Sequence, residues 1–322
     1  MSTAIEFQHV SKSFGDTPVI PDMNLAIEEG ELFVLVGTSG SGKTTSLKMV
    51  NRLEEPTDGD VLINGKKAKS YPLQQLRWSM GYILQQIALF PTMTVAQNIA
   101  VIPEMKKVPK KEINRLVDEL LTKVALDPAK YRDRMPRELS GGEQQRIGIL
   151  RAIASKPNFV LMDEPFGALD PLSRATLQDL ILDLHKELHN TIIFVTHDMD
   201  EAIKLGDRIG IMGDGKLLQV GTPTELAQNP TSDFVRDFFS SSADKSVYQT
   251  PINHVIQAEG YATAPDSSEK TEQLQDTDTL QAAFVALSGY DYIEIVDQQQ
   301  ETLGFLSRKQ VFQYLSKPQK VR

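Results

Sequence analysis

A glycine-rich segment, set between an apolar run and a helical pattern, constrains the fold of this chain more than any other feature. Residues 37–44 read GTSGSGKT and fit the pattern G-x-x-x-x-G-K-[ST]. The apolar run of residues 31–36 precedes them, and Leu47, Val50 and Leu53 follow at helical spacing. A strand, a glycine loop and a helix in this order predict a phosphate-binding loop, because glycine N–H groups can face phosphate oxygens and the helix adds its positive end.

Short apolar runs elsewhere predict further strands around this loop. Residues 4–10 and 25–36 are rich in Ile, Phe, Val and Leu. Residues 159–162 and 191–195 are unbroken apolar runs, and the helical pattern of residues 171–189 separates them. Strands that alternate with helices indicate an α/β fold with buried parallel strands.

Local signals add a hairpin and a helical region. Turn residues flank Val61–Ile63 on both sides, which predicts a short hairpin strand. Residues 94–126 are mostly helical in pattern, with breaks expected at Pro103 and Pro109. Another helix is expected at residues 146–154.

Composition and charge exclude several classes of protein. The 322 residues are 40% hydrophobic and 24% charged, as in a globular protein of about two domains. Cysteine is absent, which excludes disulfides and thiolate metal sites. A net charge of −9 without a long basic run argues against general nucleic-acid binding. No run approaches the roughly 18–20 apolar residues of a membrane span, and no signal peptide is expected.

The composition shifts after Phe239. Residues 240–246 are serine-rich and are interpreted as a linker, and residues 258–301 hold ten Asp or Glu and one Lys. An acidic run of this kind is usually disordered or a solvated surface. Residues 280–287 are helix-like, however, and residues 292–296 alternate like a strand, so we expect a small second domain rather than a tail.

Polar side chains follow two of the predicted strands. Asp163 and Glu164 come directly after the run at 159–162, and His197 follows the run at 191–195. Because ligands bind at the carboxyl ends of strands in open α/β sheets, these side chains are candidates for metal binding and general-base chemistry. Adjacent acids at a strand end also occur in solvated turns, and a lone histidine there is often incidental.

Residues 139–146 read LSGGEQQR and form a second candidate anion site. Ser140 can cap the helix that follows, and the free N–H groups and the helix dipole attract an anion. The alternative is a capped surface helix without a ligand. The two readings differ in function. An anion site here would be a second one, because the predicted phosphate loop is already expected to bind one triphosphate.

Together, residues 37–44 and 139–146 resemble the ABC (ATP-binding cassette) ATPases, and the resemblance covers residues 1 to about 238. It implies an α/β P-loop NTPase core of the RecA-like type, with antiparallel β and helical subdomains. The expected domains are an ABC ATPase domain at 1–239 with its helical subdomain at about 87–157, a linker at 240–250, and a small α+β domain at 251–316 that resembles a CBS (cystathionine-β-synthase-type) module.

The resemblance also implies roles for single residues. Glu164 is the expected general base, His197 the switch histidine at the γ-phosphate, and Gln85 the Q-loop glutamine, with Gln86 as an adjacent alternative. Phe14 is expected to stack on adenine unless it is plain core. The expected Mg²⁺ ligands are Thr44, Gln85 and Asp163, and the expected ATP contacts are Phe14, Gly37, Ser39, Gly40, Ser41, Gly42, Lys43, Thr44 and Thr45 of one subunit and Ser140, Gly141 and Gly142 of the other.

ABC ATPases hydrolyse ATP between two subunits, so a second copy is an implied partner, and residues 168–170 match the D-loop of the dimer seam. Residues 82–91 and 196–205 look like the osmoprotectant importers of bacteria, which take up glycine betaine, carnitine, choline or proline betaine. The other implied partners are transmembrane permease subunits and, through them, an extracytoplasmic substrate-binding protein, with no nucleic acid. Residues 88–95 are apolar enough to contact a permease or to be core. The implied location is peripheral, on the cytoplasmic face of the plasma membrane.

Three alternatives remain. The first is an ABC importer ATPase for another small solute such as an amino acid, and the second is a soluble ABC protein acting on ribosomes or DNA. The third is a regulatory binding module whose working part is residues 279–316. The position near Gln310 is not acidic, unlike repeats that bind a ribose, which argues against nucleotide sensing by this module. The ten acids on a small domain instead indicate a response to ionic strength.

Overall fold

The chain divides into two compact units, Met1–Arg236 and Asp237–Arg322. The computed structural model describes residues 2–85, 88–167, 169, 171–243, 250–262, 271–297, 299, 301–307, 309–311 and 314. The strands of the first unit are β1 (Thr3–Phe14), β2 (Thr17–Glu28), β3 (Leu32–Gly37), β4 (Asp58–Ile63), β5 (Lys66–Lys67), β6 (Met80–Ile83), β7 (Phe159–Asp163), β8 (Thr191–Thr196), β9 (Arg208–Gly213) and β10 (Lys216–Gly221).

The helices of the chain up to residue 243 lie between and after these strands. Within the described ranges, no helix combines the length and apolarity needed to cross a bilayer. The helices are α1 (Lys43–Val50), α2 (Leu73–Trp78), α3 (Val95–Met105), α4 (Lys110–Lys123), α5 (Pro128–Tyr131), α6 (Gly141–Ile153), α7 (Pro171–Leu188), α8 (Met199–Leu205), α9 (Pro223–Gln228) and α10 (Asp233–Ala243), with short 3₁₀ turns at Ala68–Ser70 and Pro136–Glu138.

A six-stranded sheet of order β10-β9-β3-β8-β7-β6 forms the centre of the first unit. All neighbours pair in parallel except β9 and β10, which are antiparallel. Every residue of β3, β7 and β8 is buried, as expected where both faces of a parallel sheet are covered. The predicted strands at 159–162 and 191–195, and the helix between them, are confirmed. The carboxyl ends of β3, β7 and β8 therefore meet at one edge of the sheet.

A second sheet of order β2-β1-β4-β5 is antiparallel and shares a core with the first. The hairpin predicted around Val61–Ile63 is confirmed, and its turn residues Asn64 and Gly65 both have positive φ, as the two-residue turn requires. The shared core joins β1, β2, α1 and the central sheet, and its fully buried members include Ile5, Ile20, Ile27, Phe33 and Leu47.

The predicted helical region contains helices α3–α6, with one correction. Pro109 precedes α4, as expected, but Pro103 lies inside α3 and does not break it. A proline in a helix removes one hydrogen bond to the preceding turn. Pro103 is buried on the same helix as Val95 and Ile99, and packing of that face maintains the helix for two residues beyond the proline.

The second unit is a small α+β body. Its sheet has the order β11-β12-β13, with β11 and β12 parallel and β12 and β13 antiparallel, and its core includes Val255, Leu280 and Ile293. The expected helix near 280–287 and strand near 292–296 are confirmed. The elements are α11 (Ile252–Glu259), β11 (Glu272–Gln275), α12 (Leu280–Gly289), β12 (Tyr292–Val296) and β13 (Thr302–Ser307).

The expected linker differs from the structure at its start. Residues 240–243 continue α10 instead of opening a linker. Serine is only a moderate helix former, but extending an existing helix costs far less than starting one. The rest of the predicted linker up to residue 249 lies outside the described residues.

Candidate nucleotide-binding site

The predicted phosphate loop joins β3 to α1 and depends on its glycines. A Cβ atom at Gly37 would lie 2.2 Å from the carbonyl oxygen of Met212, so only glycine fits there. Gly42 has φ of +98° and is the N-cap of α1, a conformation that side chains disfavour. Ser39 and Gly40 are exposed, and Thr45 is half-buried in the first turn of α1, whose N–H groups have no side-chain cap.

Lys43 is held inside this loop. Its side chain is buried, and Nζ donates to the carbonyl oxygens of Gly37 and Thr38 at 2.9 Å each. Burial lowers the pKa of Lys43, and the carboxylates of Glu164 and Asp163 act in the opposite direction. Ammonium groups have three donors, so Lys43 has a hydrogen to give to an anion in the loop.

Thr44 and Asp163 meet across the sheet edge. The Thr44 hydroxyl donates to Asp163 Oδ1 at 2.7 Å, although 119 residues separate the two. Burial raises the pKa of Asp163, while the bond from Thr44 lowers it. The pairing follows from the parallel sheet, which brings the ends of β3 and β7 to the same edge.

The donor set around Thr44 suits a magnesium nucleotide. Hydroxyl and carboxylate oxygens are ligands that Mg²⁺ prefers, and Mg²⁺ usually takes one or two protein carboxylates together with substrate phosphates. Among the described residues there is no group of three or more His, Asp or Glu arranged to hold a metal, so an ion bound at Thr44 and Asp163 would take its remaining ligands from phosphate and water. Ser41 Oγ is buried in the loop without a hydrogen-bond partner, which also fits a ligand supplied from outside the chain.

Three predicted catalytic residues converge on one carboxylate oxygen. Glu164 Oε2 lies 3.1 Å from His197 Nδ1 and accepts a hydrogen bond from Gln85 Nε2 at 3.3 Å. Glu164 itself has φ of +43°, and its N–H donates to the Val195 carbonyl at 2.9 Å. A left-handed non-glycine residue is strained, and such strain often occurs at functional sites. The alternative glutamine, Gln86, lies outside the described residues, as do two residues of the predicted D-loop, Ala168 and Asp170.

A buried polar network that was not predicted flanks His197. Thr196 Oγ1 donates to Glu201 Oε2 at 2.6 Å and accepts from the Asp198 N–H at 3.0 Å. Arg174 of α7 lies 3.4 Å from the Asp198 carboxylate and 3.7 Å from that of Glu201. Burial raises the pKa of Glu201. The sequence signal was available, since Asp198 directly precedes α8 and caps it.

The LSGGEQQR segment forms a capped helix start. The Ser140 hydroxyl accepts from the Glu143 N–H at 3.3 Å, and the Glu143 carboxylate accepts from the Ser140 N–H at 2.7 Å. Tyr131 donates to the same carboxylate at 2.6 Å. Gln145, a member of the motif to which the sequence analysis gave no separate role, donates to the Pro165 carbonyl at 2.7 Å and so joins α6 to the turn after Glu164. A Cβ atom at Gly141 would have no neighbour within 4 Å.

Phe14 is not core. Its ring is 47% exposed at the end of β1, which rules out the alternative of plain burial. The ammonium of Lys12 lies 4.6 Å from the ring centroid. An aromatic ring with this much exposure is available for a ligand.

Comparisons with known proteins agree with this geometry. An ABC transporter family profile matches residues 20–167. The carnitine transport ATP-binding protein OpuCA of Listeria monocytogenes serotype 1/2a (strain 10403S) is 43% identical over 95% of this chain and 76% of its own length. The glycine betaine uptake system ATP-binding protein YehX of Escherichia coli (strain K12) is 42% identical over 94% of this chain and 97% of its own length.

A solved structure supports the same assignment. The dimeric post-hydrolysis state of the ATP-binding cassette MJ0796, bound to ADP and Pi, has a TM-score of 0.61 at 30% identity, and the match covers 68% of this chain and 98% of that one. At such identities to OpuCA and YehX over almost its entire length, this chain belongs to the family of ABC transporter ATP-binding proteins.

Proposed function

We propose that this chain is the ATP-hydrolysing subunit of an importer for quaternary amine osmoprotectants, with glycine betaine, carnitine, choline and proline betaine as candidate cargoes. The observation that carries the proposal is the identity to OpuCA and YehX, which spans 95% and 94% of this chain and therefore includes most of the second unit. Both relatives are named for the uptake of quaternary amines.

The phosphate loop binds the triphosphate. The N–H groups of the loop and of the first turn of α1 donate to phosphate oxygens, and the positive end of the helix adds to the attraction. Lys43 exchanges its bonds to the carbonyl oxygens of Gly37 and Thr38 for phosphate oxygens of the β- and γ-groups. Thr44, Asp163 and Gln85 are the proposed Mg²⁺ ligands, and the ion supplies charge neutralisation on the phosphates.

Glu164 acts as the general base. Its carboxylate accepts a proton from the attacking water, and the partners at Oε2, His197 and Gln85, fix its orientation. His197 is 61% exposed, so it has room to reach the γ-phosphate while remaining next to Glu164. The network of Thr196, Glu201 and Arg174 holds the backbone on both sides of His197.

The second anion site completes the pocket of another copy. Ser140, Gly141 and Gly142 open α6, a helix of 13 residues, and present N–H groups and the positive end of the dipole to solvent. We assign these groups to the γ-phosphate held by a second copy of the chain. A dimeric relative, MJ0796 bound to ADP and Pi, supports this arrangement.

A permease is the proposed membrane partner, reached from the cytoplasmic face, with an extracytoplasmic binding protein delivering cargo on the other side. Of the apolar segment at 88–95, Leu89 and Val95 are buried, whereas Phe90 is 45% exposed and Arg151 lies over its ring. Core packing therefore accounts for Leu89 and Val95, and Phe90 remains available for a permease helix. The net charge of −9 argues against nucleic acid as a partner.

The second unit is proposed to contain a CBS-like regulatory module at 251–316, behind a linker within 244–250 and an ATPase domain that ends near 239. Its size suits a single repeat, so we propose that it pairs with the module of the second copy. The ten acids at 258–301 make it sensitive to ionic strength. Deleting residues 245–322 tests this role: uptake by the shortened protein should lose its dependence on salt, and an unchanged dependence contradicts it.

The cargo is tested by uptake in cells. Cells without this chain should lose uptake of at least one radiolabelled quaternary amine, and plasmid-borne wild type but not Glu164→Gln should restore it. Labelled amino acids form the second arm, because an importer for another small solute is the competing proposal. Loss of amino-acid uptake with normal betaine, carnitine and choline uptake would favour that alternative.

A further inference from the structure

We infer that Lys12 is a positioning residue for the nucleotide base, because its ammonium holds the exposed Phe14 ring in place and ties it to the segment after the phosphate-loop helix. The inference rests on the proposed function, in which Phe14 stacks on adenine. The adenine-stacking site would then consist of Phe14 and Lys12 instead of Phe14 alone.

Lys12 is itself fixed by the fold. Its side chain is only 12% exposed, and Nζ lies 3.1 Å from Glu54 Oε2 and donates to the Glu55 carbonyl at 2.8 Å. The same ammonium lies 4.6 Å from the centroid of the Phe14 ring, which is 47% exposed. A cation whose position is fixed thus contacts a ring that is nearly half exposed, and this contact restrains the ring.

The register of β1 and β2 connects this pair to the phosphate loop. Lys12 is paired with Ile20, and a Cβ atom on Gly42 of the loop would lie 3.0 Å from the Ile20 side chain. Residues two apart on a strand share a face, so Phe14 lies on the same face as Lys12. Glu54 and Glu55 follow the end of α1, the helix that starts at the loop. Lys12 therefore bridges the stacking ring and the far end of the phosphate-loop helix.

Holding the ring has a consequence for binding. An exposed side chain loses conformational freedom when a ligand stacks on it, and a ring that is already fixed loses less. The ammonium covers one face of Phe14, which leaves the other face for the base. Lys12 should therefore affect the affinity for nucleotides with a base but not for a bare polyphosphate chain.

The test compares ADP with tripolyphosphate, both with Mg²⁺, by calorimetry on the full-length chain. Lys12→Met keeps the aliphatic stem and removes the charge, and we expect binding of ADP to weaken about threefold, in line with a cation–π contact. Tripolyphosphate should bind as it does to wild type. Lys12→Arg keeps a cation over the ring and should restore most of the affinity for ADP.

Two further variants separate the possible failures. Lys66 of β5, in the same antiparallel sheet as Lys12, lies 4.7 Å from the centroid of the Tyr71 ring, and Lys66→Met should change neither affinity. Phe14→Ala should weaken ADP about tenfold, as expected for loss of base stacking, without affecting tripolyphosphate.

The other possible outcomes contradict either the role of Lys12 or the stacking role of Phe14. If Phe14→Ala weakens ADP and Lys12→Met does not, the inference is wrong and the proposed stacking role stands. If Phe14→Ala leaves ADP binding unchanged, the stacking role fails and the inference fails with it. If Lys12→Met weakens tripolyphosphate as much as ADP, Lys12 acts on the loop or on folding and not on the base.

Discussion

The two proposed anion-binding sites of this chain, the phosphate loop and the LSGGEQQR segment, are built in opposite ways. At the phosphate loop, hydrogen bonds join residues far apart in sequence: Thr44 to Asp163 across 119 residues and Gln85 to Glu164 across 79. At the LSGGEQQR segment the bonds that cap the helix are local, between Ser140 and Glu143 and from Gln144 to Leu139, three and five residues apart, and Gln145 adds a longer bond to the Pro165 carbonyl. The first site is assembled by the whole sheet, and the second mainly by the first turn of a helix.

This difference is the reason for our proposal that the two sites work together, one from each copy of the chain. One edge of the sheet holds Lys43, the proposed metal ligands Thr44 and Asp163, and the proposed general base Glu164. The helix start brings free N–H groups and a dipole, and Ser140 and Glu143 cap each other there. In the proposed dimer, this helix start becomes a γ-phosphate site when a second copy supplies the phosphate. The following predictions concern substitutions at one or the other of these two sites.

The largest effect is expected at Glu164. Glu164→Gln keeps the size of the side chain and its contacts at Oε2 but removes the base, so ATP hydrolysis should fall by about 10²-fold or more. ATP binding should persist, and the chain should accumulate as an ATP-bound dimer. Phosphate release and light scattering measure the two effects, with Glu104→Gln on the exposed surface of α3 as control. Unchanged turnover contradicts the role of Glu164.

Replacing a glycine with alanine should have different effects at the two sites. Gly37→Ala places a Cβ atom 2.2 Å from the Met212 carbonyl and should lower the free energy of unfolding by about 1–3 kcal/mol, with loss of ATP binding. Gly141→Ala meets no atom within 4 Å, so the free energy of unfolding should change by less than about 0.5 kcal/mol.

Gly141→Ala should nevertheless reduce ATP hydrolysis, because in the proposed dimer the γ-phosphate of a second copy lies against this helix start. Urea unfolding and phosphate release on the same preparations provide the comparison. Full hydrolysis by Gly141→Ala would show that no phosphate contacts this helix start.

Two capping boxes offer a matched pair for the next prediction. Thr94 caps α3 with Gln97 in the same way as Ser140 caps α6 with Glu143. Both Thr94→Ala and Ser140→Ala should lower the free energy of unfolding by about 1 kcal/mol. Only Ser140→Ala should also weaken ATP-dependent dimerisation in the Glu164→Gln background, measured by sedimentation. Equal dimerisation of the two variants would remove Ser140 from the shared site.

The smallest effect concerns one acid at each site, Glu143 and Asp163, whose pKa values shift in opposite directions. Hydrogen bonds from Tyr131 and Ser140 hold the pKa of Glu143 below its ordinary 4.5, so its stabilising contribution is complete above pH 4.5 and is lost as the pH falls through the folded pKa. Burial raises the pKa of Asp163 above its ordinary 3.8, so the charged form destabilises the fold as the pH rises through the folded pKa.

Glu143→Gln should therefore destabilise the protein at neutral pH by at most about 1 kcal/mol, with the difference disappearing in acid. Asp163→Asn should have the opposite sign, a small stabilisation at neutral pH that disappears below pH 3.8. Urea unfolding across this range checks both. A Glu143→Gln penalty that persists in acid would place its origin in packing and not in charge.

Much of the phosphate-loop end could be predicted, because its motifs are local and a parallel sheet brings the ends of its strands together. The meeting of Thr44, Asp163, Glu164 and His197 follows from those two facts. The contact of Lys12 with Phe14 and Glu54 could not be predicted, since it depends on how a strand packs beside the end of a helix.

Other differences arose where tertiary packing outweighed local preference. Pro103 stays within α3 because its helix face is buried, and residues 240–243 extend a helix that starts at Asp233. Strands β9 and β10 went unpredicted although Asp214 and Gly215, an Asp-Gly turn signal with positive φ at both residues, lie between them.

The shared site can be measured directly, because the chain has no cysteine of its own. Thr38 of the phosphate loop and Arg137, three residues before Ser140, are both exposed, and each is replaced by cysteine in a separate Glu164→Gln chain. When the two chains are mixed with ATP and a short bis-maleimide, we expect a covalent dimer that does not form without ATP. Absence of the dimer while ATP is bound, or a link within a single chain that carries both cysteines, would contradict a pocket built from two copies.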